Sequence, residues 1–372
     1  MEKNSNPGST STNSRASRID LVCHYQFNKK SSQISFLSVD NKSGVTSINP
    51  ELGFSSKDHI KILSSCYGFI LLTSKTKKNQ LNFHVFNPLA NQIFTLPQPS
   101  FARKIVRSGL VASHMHHHHF QVVLVHISSG SALEFGIFSS ETGEWKTHTP
   151  GDLFSPVPVK QLFPEPPVPS LYSNGSIHWE VLQHLLVYNV KTGHCQFIKL
   201  PDVSEDGHRH KPSTRVFKRC LWESEGRVRY CYTDNEGIHT WYLLNEEDVD
   251  FHIKYHNIDA EKFKWALSDS LSHQTFQGLS RNWKPQDIAP FAYNEASQKM
   301  FLQLPGSVIS YNTKSGVLEE VFTFKIQGKK YNCSFFPFVY CGQGKLQYVD
   351  EKSEAKVEIE LPVKEVGGFL SF

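Results

Sequence analysis

A chain of 372 residues is longer than one compact hydrophobic core usually grows, so the fold is either several domains or a modular architecture. A net charge of +4 is too mild to mark a nucleic-acid binder, and apolar runs such as Gly68–Leu72 and Val122–Val125 are far too short to span a bilayer. Seven scattered cysteines, odd in number and without a C-x-x-C pair, read as reduced thiols of an intracellular protein, cytoplasmic or nuclear.

In chain order, residues 1–18 are rich in Ser, Asn and Thr without apolar period and predict a disordered tail. Residues 19–372 are expected to form one domain. Leu21–Ile48 predicts two or three strands. Ile60–Pro97 predicts a full four-strand unit: Ile60–Leu63, Cys66–Leu72, Asn82–Asn87 and Gln92–Leu96. Within it, Ser74–Asn79 reads as a basic loop tip. Ile105–Pro150 is a second unit. Its run His114–His119 is either a metal-binding tract or a loop expansion before the strand Phe120–Ile127; with no acidic or Cys partner nearby, the loop reading is preferred. The prolines of Pro156–Pro169 predict an extended linker between units. Leu171–Pro201 is a third unit with a hairpin turn at Asn174-Gly175. Val216–Ile258 is a fourth, with turns at Gly226 and Gly237 and a buried strand Trp241–Leu244. Residues 259–286 predict an irregular or partly helical insertion, and Ile288–Phe324 a fifth unit. Strands from Phe335–Leu361 are expected to pair with the N-terminal ones and close a ring, which removes sheet edges.

The units share a turn. Asn87–Asn91, Ser139–Gly143, Asn189–Gly193, Asn312–Gly316 and Asp40–Gly44 each start on a side chain that can accept a hydrogen bond from the turn's own backbone. Each ends on Gly or Asn, the residues that best tolerate positive φ. Looser copies are Asn294–Gln298 and Asp350–Glu354. Asn87, Ser139 and Asn189 recur roughly every 50 residues, and short strands at that period are the signature of a β-propeller of the kelch kind. The expected fold is all-β, a kelch-like β-propeller of about six four-stranded antiparallel blades. Gly68, Asn91, Gly143, Gly193 and Gly316 are its structural turn residues.

The chain carries no phosphate-cradling G-x-x-x-x-G-K-[ST], no G-x-G-x-x-G, no G-x-S-x-G elbow and no H-E-x-x-H. His178-Trp179-Glu180 has the H-x-E of zinc deaminases without the accompanying P-C-x-x-C. No catalytic residue, metal ligand or cofactor is assigned, and the reading is of a non-enzymatic binding scaffold. The alternative is a propeller-fold hydrolase or oxidase whose central pocket gathers distant carboxylates or histidines.

The order of several short motifs then becomes recognisable. They are Ser64–Leu72, Phe86-Asn87-Pro88 with Leu96-Pro97, Phe120–Val123, Phe138–Trp145, Asn174–Trp179, and Tyr311-Asn312 with Leu318–Val321. Together, from about Ile60 to about Val321, they resemble the kelch-like, F-box-associated region of plant F-box proteins. The resemblance implies a substrate receptor of an SCF-type ubiquitin ligase, with the propeller holding a protein target and a separate helical F-box binding the Skp-type adaptor. Residues 1–60 contain no such helical segment, so the resemblance does not carry adaptor binding to this chain; it reads as a truncated relative or as a piece of a longer gene product. A protein target is the expected partner, with no nucleic acid and no membrane.

Overall fold

In a computed structural model, residues 19–28, 31–40, 44–48, 60–75, 81–88, 90–100, 105–113, 116–128, 132–151, 169–201, 218–244, 265–276, 284, 287–295, 297–323 and 332–338 are described. Among them the strands pair into six four-stranded antiparallel sheets, each a blade. Blade 1 is composite: β1 (Ile19–Asn28), β2 (Ser31–Asp40) and β3 (Gly44–Ile48) are joined by β24 (Asn332–Phe338) in the order β24-β1-β2-β3. Blade 2 is β4 (Lys61–Cys66), β5 (Phe69–Lys75), β6 (Leu81–Asn87) and β7 (Gln92–Thr95). Blade 3 is β8 (Ile105–Ser113), β9 (His116–Ile127), β10 (Leu133–Ser139) and β11 (Glu144–His148). Blade 4 is β12 (Leu171–Ser173), β13 (Ser176–Val181), β14 (His184–Asn189) and β15 (Cys195–Lys199). Blade 5 is β16 (Lys218–Ser224), β17 (Arg227–Thr233), β18 (Gly237–Leu243) and β19 (Trp265–Ser272). Blade 6 is β20 (Ala289–Asn294), β21 (Lys299–Leu304), β22 (Ser307–Asn312) and β23 (Leu318–Thr323).

The first strands touch in cyclic order, β24 to β4, β8, β12, β16, β20 and back to β24, so they form the inner wall of a closed ring. The ring closes as expected: β24 pairs with β1 along Asp20↔Phe338 to Gln26↔Asn332. The C-terminal part of the chain thus supplies the innermost strand of a blade whose other three strands are N-terminal.

Alternation along the middle strands explains the packing. In β9, Val122 and Leu124 turn to blade 2 and join Phe69, Leu71, Phe83 and Val85, while Val123 and Val125 turn to blade 4 and join Ile177, Trp179 and Leu186. Blades 4 and 5 share Leu185, Val187, Tyr230 and Trp265, and blades 5 and 6 share Trp222, Ile238, Met300 and Leu302. Both faces of blades 3, 4 and 5 are therefore apolar, as their position between two neighbours requires. Aromatic contacts cross the seams. Phe135 of blade 3 stacks on Tyr188 of blade 4 at 4.3 Å, and Trp222 of blade 5 on Tyr293 of blade 6 at 5.9 Å. Indole donors do the same: Trp145 Nε1 donates to Pro97 O at 2.8 Å, Trp179 Nε1 to Ser108 O at 2.8 Å and Trp265 Nε1 to Lys199 O at 2.9 Å.

Several sequence expectations need correction. The expected insertion 259–286 contains β19, the fourth strand of blade 5, followed by a turn of 3-10 helix at His273–Phe276. Its pattern was obscured by a bulge. Thr240 pairs with Asp269 but Trp241 with Leu267, so Ser268 is extra and the facing of the strand reverses across it. Trp265 consequently packs toward blade 4 and Leu271 toward blade 6. The strand Trp241–Leu244 is half-buried except at Leu244. The His run does not precede a strand; His116–His119 opens β9 itself. Ser74 and Lys75, read as loop, end β5. The tail 1–18, most of the proline segment, residues 114–115 and everything after Phe338, the copy Asp350–Glu354 included, lie outside the described residues.

Candidate functional site

The first strands run in one direction. Cys66 Sγ near the end of β4 donates to Ala112 O near the end of β8 at 3.9 Å. Asn174 Nδ2, in the turn after β12, donates to Gly226 O in the turn after β16 at 2.7 Å, and Glu225 N of that turn donates to Glu295 Oε2 after β20 at 3.0 Å. The starts of the first strands therefore share one face of the ring, here termed the entry face. The tight turns that leave them share the other.

The five turn residues named from sequence all have positive φ: Gly68 85°, Asn91 47°, Gly143 70°, Gly193 73° and Gly316 74°. Gly68 follows Tyr67 (φ 40°) in the two-residue hairpin between β4 and β5. The other four close the turn between the third and fourth strands of a blade. Asn189 Oδ1 accepts from Lys191 N at 3.1 Å and Thr192 N at 2.9 Å, and Asn312 Oδ1 from Lys314 N at 3.0 Å and Ser315 N at 2.8 Å. Val190 N donates to Gly175 O at 3.0 Å and Thr313 N to Gln298 O at 2.9 Å, tying these turns to the first hairpins of their blades. The five residues stand away from the entry face.

The entry face holds charge that sequence reading did not single out. Lys61 opens β4, Arg107 is the third residue of β8, and Lys218 and Arg219 open β16. The inner strand of blade 4 is short. Its pairing with β13 starts at Leu171↔His178, so Glu180 of β13 extends past the start of β12 toward the mouth of the ring. There Arg219 Nη1 donates to Glu180 Oε1 at 2.5 Å, the carboxylate being 3% exposed and the guanidinium 36%. Glu180 Oε2 has no hydrogen-bond partner among the described residues. Burial pushes the Glu180 carboxyl above its usual range, and the Arg219 and Arg107 charges offset part of that rise. His178, two residues earlier on the same face of β13, is driven down to about 4, chiefly by burial, against weaker help from the backbone around Leu171 and Ser176. Burial and the Glu180 charge push the Tyr230 phenol well above its normal value. A carboxylate hint lay in Glu180, which interrupts the apolar run Ile177–Tyr188. The cations carried no local signal, because only ring closure groups them.

Blade 5 also aligns a hydroxyl, an imidazole and a carboxylate. Ser270 Oγ lies 3.1 Å from His239 Nδ1, and His239 Nε2 lies 3.2 Å from Asp234 Oδ1. The same Asp234 oxygen accepts from Glu236 N at 2.8 Å and Gly237 N at 3.0 Å, the bonding of an Asx turn. Ser270 sits on the outermost strand of its blade, far from the inner wall. Blade 2 repeats the row without a carboxylate: His84 bridges Ser74 at 2.9 Å and Thr95 at 3.0 Å. The recurrence fits a polar brace across the outer strands. At the His run, His119 Nδ1 comes within 3.7 Å of Glu141 Oε1, an acidic neighbour that sequence spacing had not suggested. Among the described residues no three His, Cys, Asp or Glu side chains are grouped to hold a metal ion.

A family model described as "F-box protein At3g26010-like, beta-propeller" matches residues 38–307. The chain belongs to this family. Among curated relatives of the At3g26010-like propeller, "Putative F-box protein At3g23970" of Arabidopsis thaliana is 24% identical over 214 residues, covering 50% of this chain and 48% of its own. "Putative F-box protein At3g23950" of the same plant is 24% identical over 217 residues, covering 51% and 48%. The chain thus spans about half the length of the curated relatives it matches. Among solved structures, the six-bladed β-propeller lectin of Aleuria aurantia is 10% identical, covers 87% of this chain and 96% of that one, and has a TM-score of 0.36. That score is too low to carry an argument. Among the described residues no helix is long and apolar enough to cross a membrane.

Proposed function

We propose that this chain is a non-enzymatic protein-recognition module, the target-holding part of an F-box substrate receptor of an SCF-type ubiquitin ligase or a derivative of one, acting inside the cell. The observation that carries this reading is the family match over residues 38–307, on a ring whose blades are committed to one another through apolar faces. Such a scaffold leaves recognition to strand ends and connections around a rigid frame. Cys66, Cys195, Cys220 and Cys231 are free thiols, in keeping with a reducing compartment. The Skp-type adaptor is left unassigned, since the F-box that would bind it is not among the residues matched. The hydrolase alternative draws support from the Ser270–His239–Asp234 row. The Asx-turn bonding of Asp234 and the outer position of Ser270 favour bracing instead.

The test is affinity purification of the tagged full chain from plant cells under proteasome inhibition, with quantitative mass spectrometry against an unrelated propeller. Reproducible enrichment of one or a few proteins, confirmed by binding of the purified pair, is the expected result. Recovery of no protein partner, together with labelling of Ser270 by a fluorophosphonate probe or turnover of an ester substrate, would replace this reading with the enzymatic one.

A further inference from the structure

Cys66 lies in blade 2 and Cys195 in blade 4, whereas Cys220 and Cys231 both lie in blade 5. They are register partners, Cys220 of β16 directly opposite Cys231 of β17. Directly opposed residues of an antiparallel pair share one face of the sheet. Both cysteines belong to the apolar seam with blade 6, beside Trp222, Ile238, Met300 and Leu302. Opposed pairs have Cα separations of about 4.5 or 5.5 Å, and both values fall within the range of about 4.4–6.8 Å that a disulfide spans. Neither thiol is committed to a strong contact. Cys231 Sγ accepts from Thr240 Oγ1 at 3.7 Å, and Cys220 Sγ reaches only the Leu221 carbonyl at 3.8 Å. Burial, and after it the charge of Cys231, pushes the Cys220 thiol well above its ordinary range, which places the Cys231 sulfur within electrostatic reach of it. Blade 1 also holds two cysteines. There Cys333 pairs with Tyr25 and Cys23 with Phe335, a diagonal offset of about 7–8 Å, too wide to bridge without backbone movement.

We propose that Cys220 and Cys231 are a redox-modification site, a dithiol that a peroxide converts into a reversible disulfide across the first hairpin of blade 5. The site is independent of what the ring binds. Cys220 is the thiol attacked first. It keeps 8% exposure and sits on the strand that lines the inner wall, whereas Cys231 is fully buried one strand further out. The Cys220 sulfur attacks one peroxide oxygen, the O–O bond breaks, and the other oxygen leaves as water with the thiol proton, giving a sulfenic acid. The Cys231 sulfur then attacks the Cys220 sulfur. The S–O bond breaks, and the hydroxyl leaves as a second water with the Cys231 proton. Two thiols are oxidised by two electrons in all, and one peroxide is reduced. Thiolate is scarce in the apolar seam, since burial pushes Cys231 up to about 12 and Cys220 well above its ordinary range. The first step is therefore slow, and the pair answers sustained rather than brief exposure. The bond carries strain, because opposed Cβ atoms stand about 4.5–5.5 Å apart and a disulfide holds them at about 3.5–4.5 Å. A strained disulfide is the more easily reduced, so a small dithiol restores the pair.

The purified full chain, reduced and freed of reductant, is held in hydrogen peroxide under native conditions. It is then denatured, its remaining thiols are blocked with a maleimide, and its mass is measured. Of the seven cysteines, two are expected to escape blocking. Trypsin cuts after Arg227 and Arg229 and parts the pair into peptides 220–227 and 230–254, so the disulfide appears as one linked species, 2 mass units lighter than the sum of the two thiol peptides. Brief treatment with dithiothreitol before denaturation should restore all seven blocking sites. In Cys231→Ala the link cannot form, and Cys220 is expected to persist as a sulfenic acid that dimedone traps. The link in the unaltered chain decides the matter even where that variant fails to fold. Both thiols still open to the maleimide after prolonged peroxide, Cys220 joined chiefly to another cysteine, or Cys220 carried on to the sulfinic acid without a linked peptide would overturn the proposal, as would a link that dithiothreitol cannot reach until the chain is unfolded.

Discussion

His178 shows how much one side chain can be shaped by the ring. Alternation on β13 sends Ile177 and Trp179 and their neighbours into the seam with blade 3, and leaves His178 and Glu180 facing blade 5. The imidazole is buried, with Nδ1 3.4 Å from Leu171 O, and burial holds its pKa down to about 4. In the unfolded chain the same group titrates near its usual value of about 6.5. Between those two values the unfolded state binds more protons than the folded one, so stability rises with pH across that window. The contribution is complete above about pH 6.5 and is lost as the pH falls toward 4, on the order of 3 kcal/mol in all. Glu180 acts with the opposite sign. Its raised pKa favours the protonated form in the folded state, so its contribution is present at low pH and lost as the pH rises through the folded value. We expect the melting temperature of the native chain to fall between pH 7 and pH 5, and the fall to be shallower in His178→Gln. Parallel pH profiles for the two proteins would show that the group does not titrate as described.

Among the elements, the turn between third and fourth strands is the most local, and that is why it is readable in the sequence. An Asn or Ser side chain closes on amides two and three residues ahead, and a residue of positive φ completes the turn, all within a few positions. The long gap between the Asn189 and Asn312 copies also has a physical reason: it holds blade 5, whose third strand ends at Leu243 and whose fourth begins only at Trp265. Two other elements were not readable. The bulge at Ser268 reverses the facing of β19 midway, which destroys the period of two that marks a strand. The entry-face cations come from blades 2, 3 and 5, and sequence distance says nothing about their meeting, whereas Glu180 was visible only as an acid in an apolar run. Gly193 tests the turn itself. Its φ of 73° strains any other residue, and an added Cβ would stand 2.9 Å from the His148 ring, which is itself placed by Tyr188 OH at 3.4 Å. Gly193→Val should cost about 1–3 kcal/mol through the backbone alone, with the His148 contact adding to it. Urea midpoints compared at equal slope measure this; an unchanged midpoint would mean that the turn does not need its positive φ.

At the scale of the molecule, stability depends on a circuit. Each middle strand lends one face to the blade before it and one to the blade after, as β9 does with Val122 and Val123, so no blade with two neighbours owns a complete core. An open row of such blades would unfold from its ends, because terminal units lose one partner. Closure by β24 removes the ends: it gives blade 1 its inner strand and touches β4 on one side and β20 on the other. The closing pair is also the contact most distant in sequence, Ile19–Asn28 against Asn332–Phe338, so it carries the largest loop-closure cost and is expected to form late in folding. Truncation after Thr323 deletes β24 and leaves the other five sheets with every strand they contain. If stability were held blade by blade, the shortened chain would keep its urea midpoint and lose only a small share of its slope. If the circuit holds it, the single cooperative transition of the full chain should shift to lower urea and broaden or split, with blades 1, 2 and 6 exchanging amide hydrogens first and the seam between blades 3 and 4 last. Hydrogen exchange resolved by peptide separates the two outcomes, since uniform protection across the remaining blades would rule out closure as the source of cooperativity.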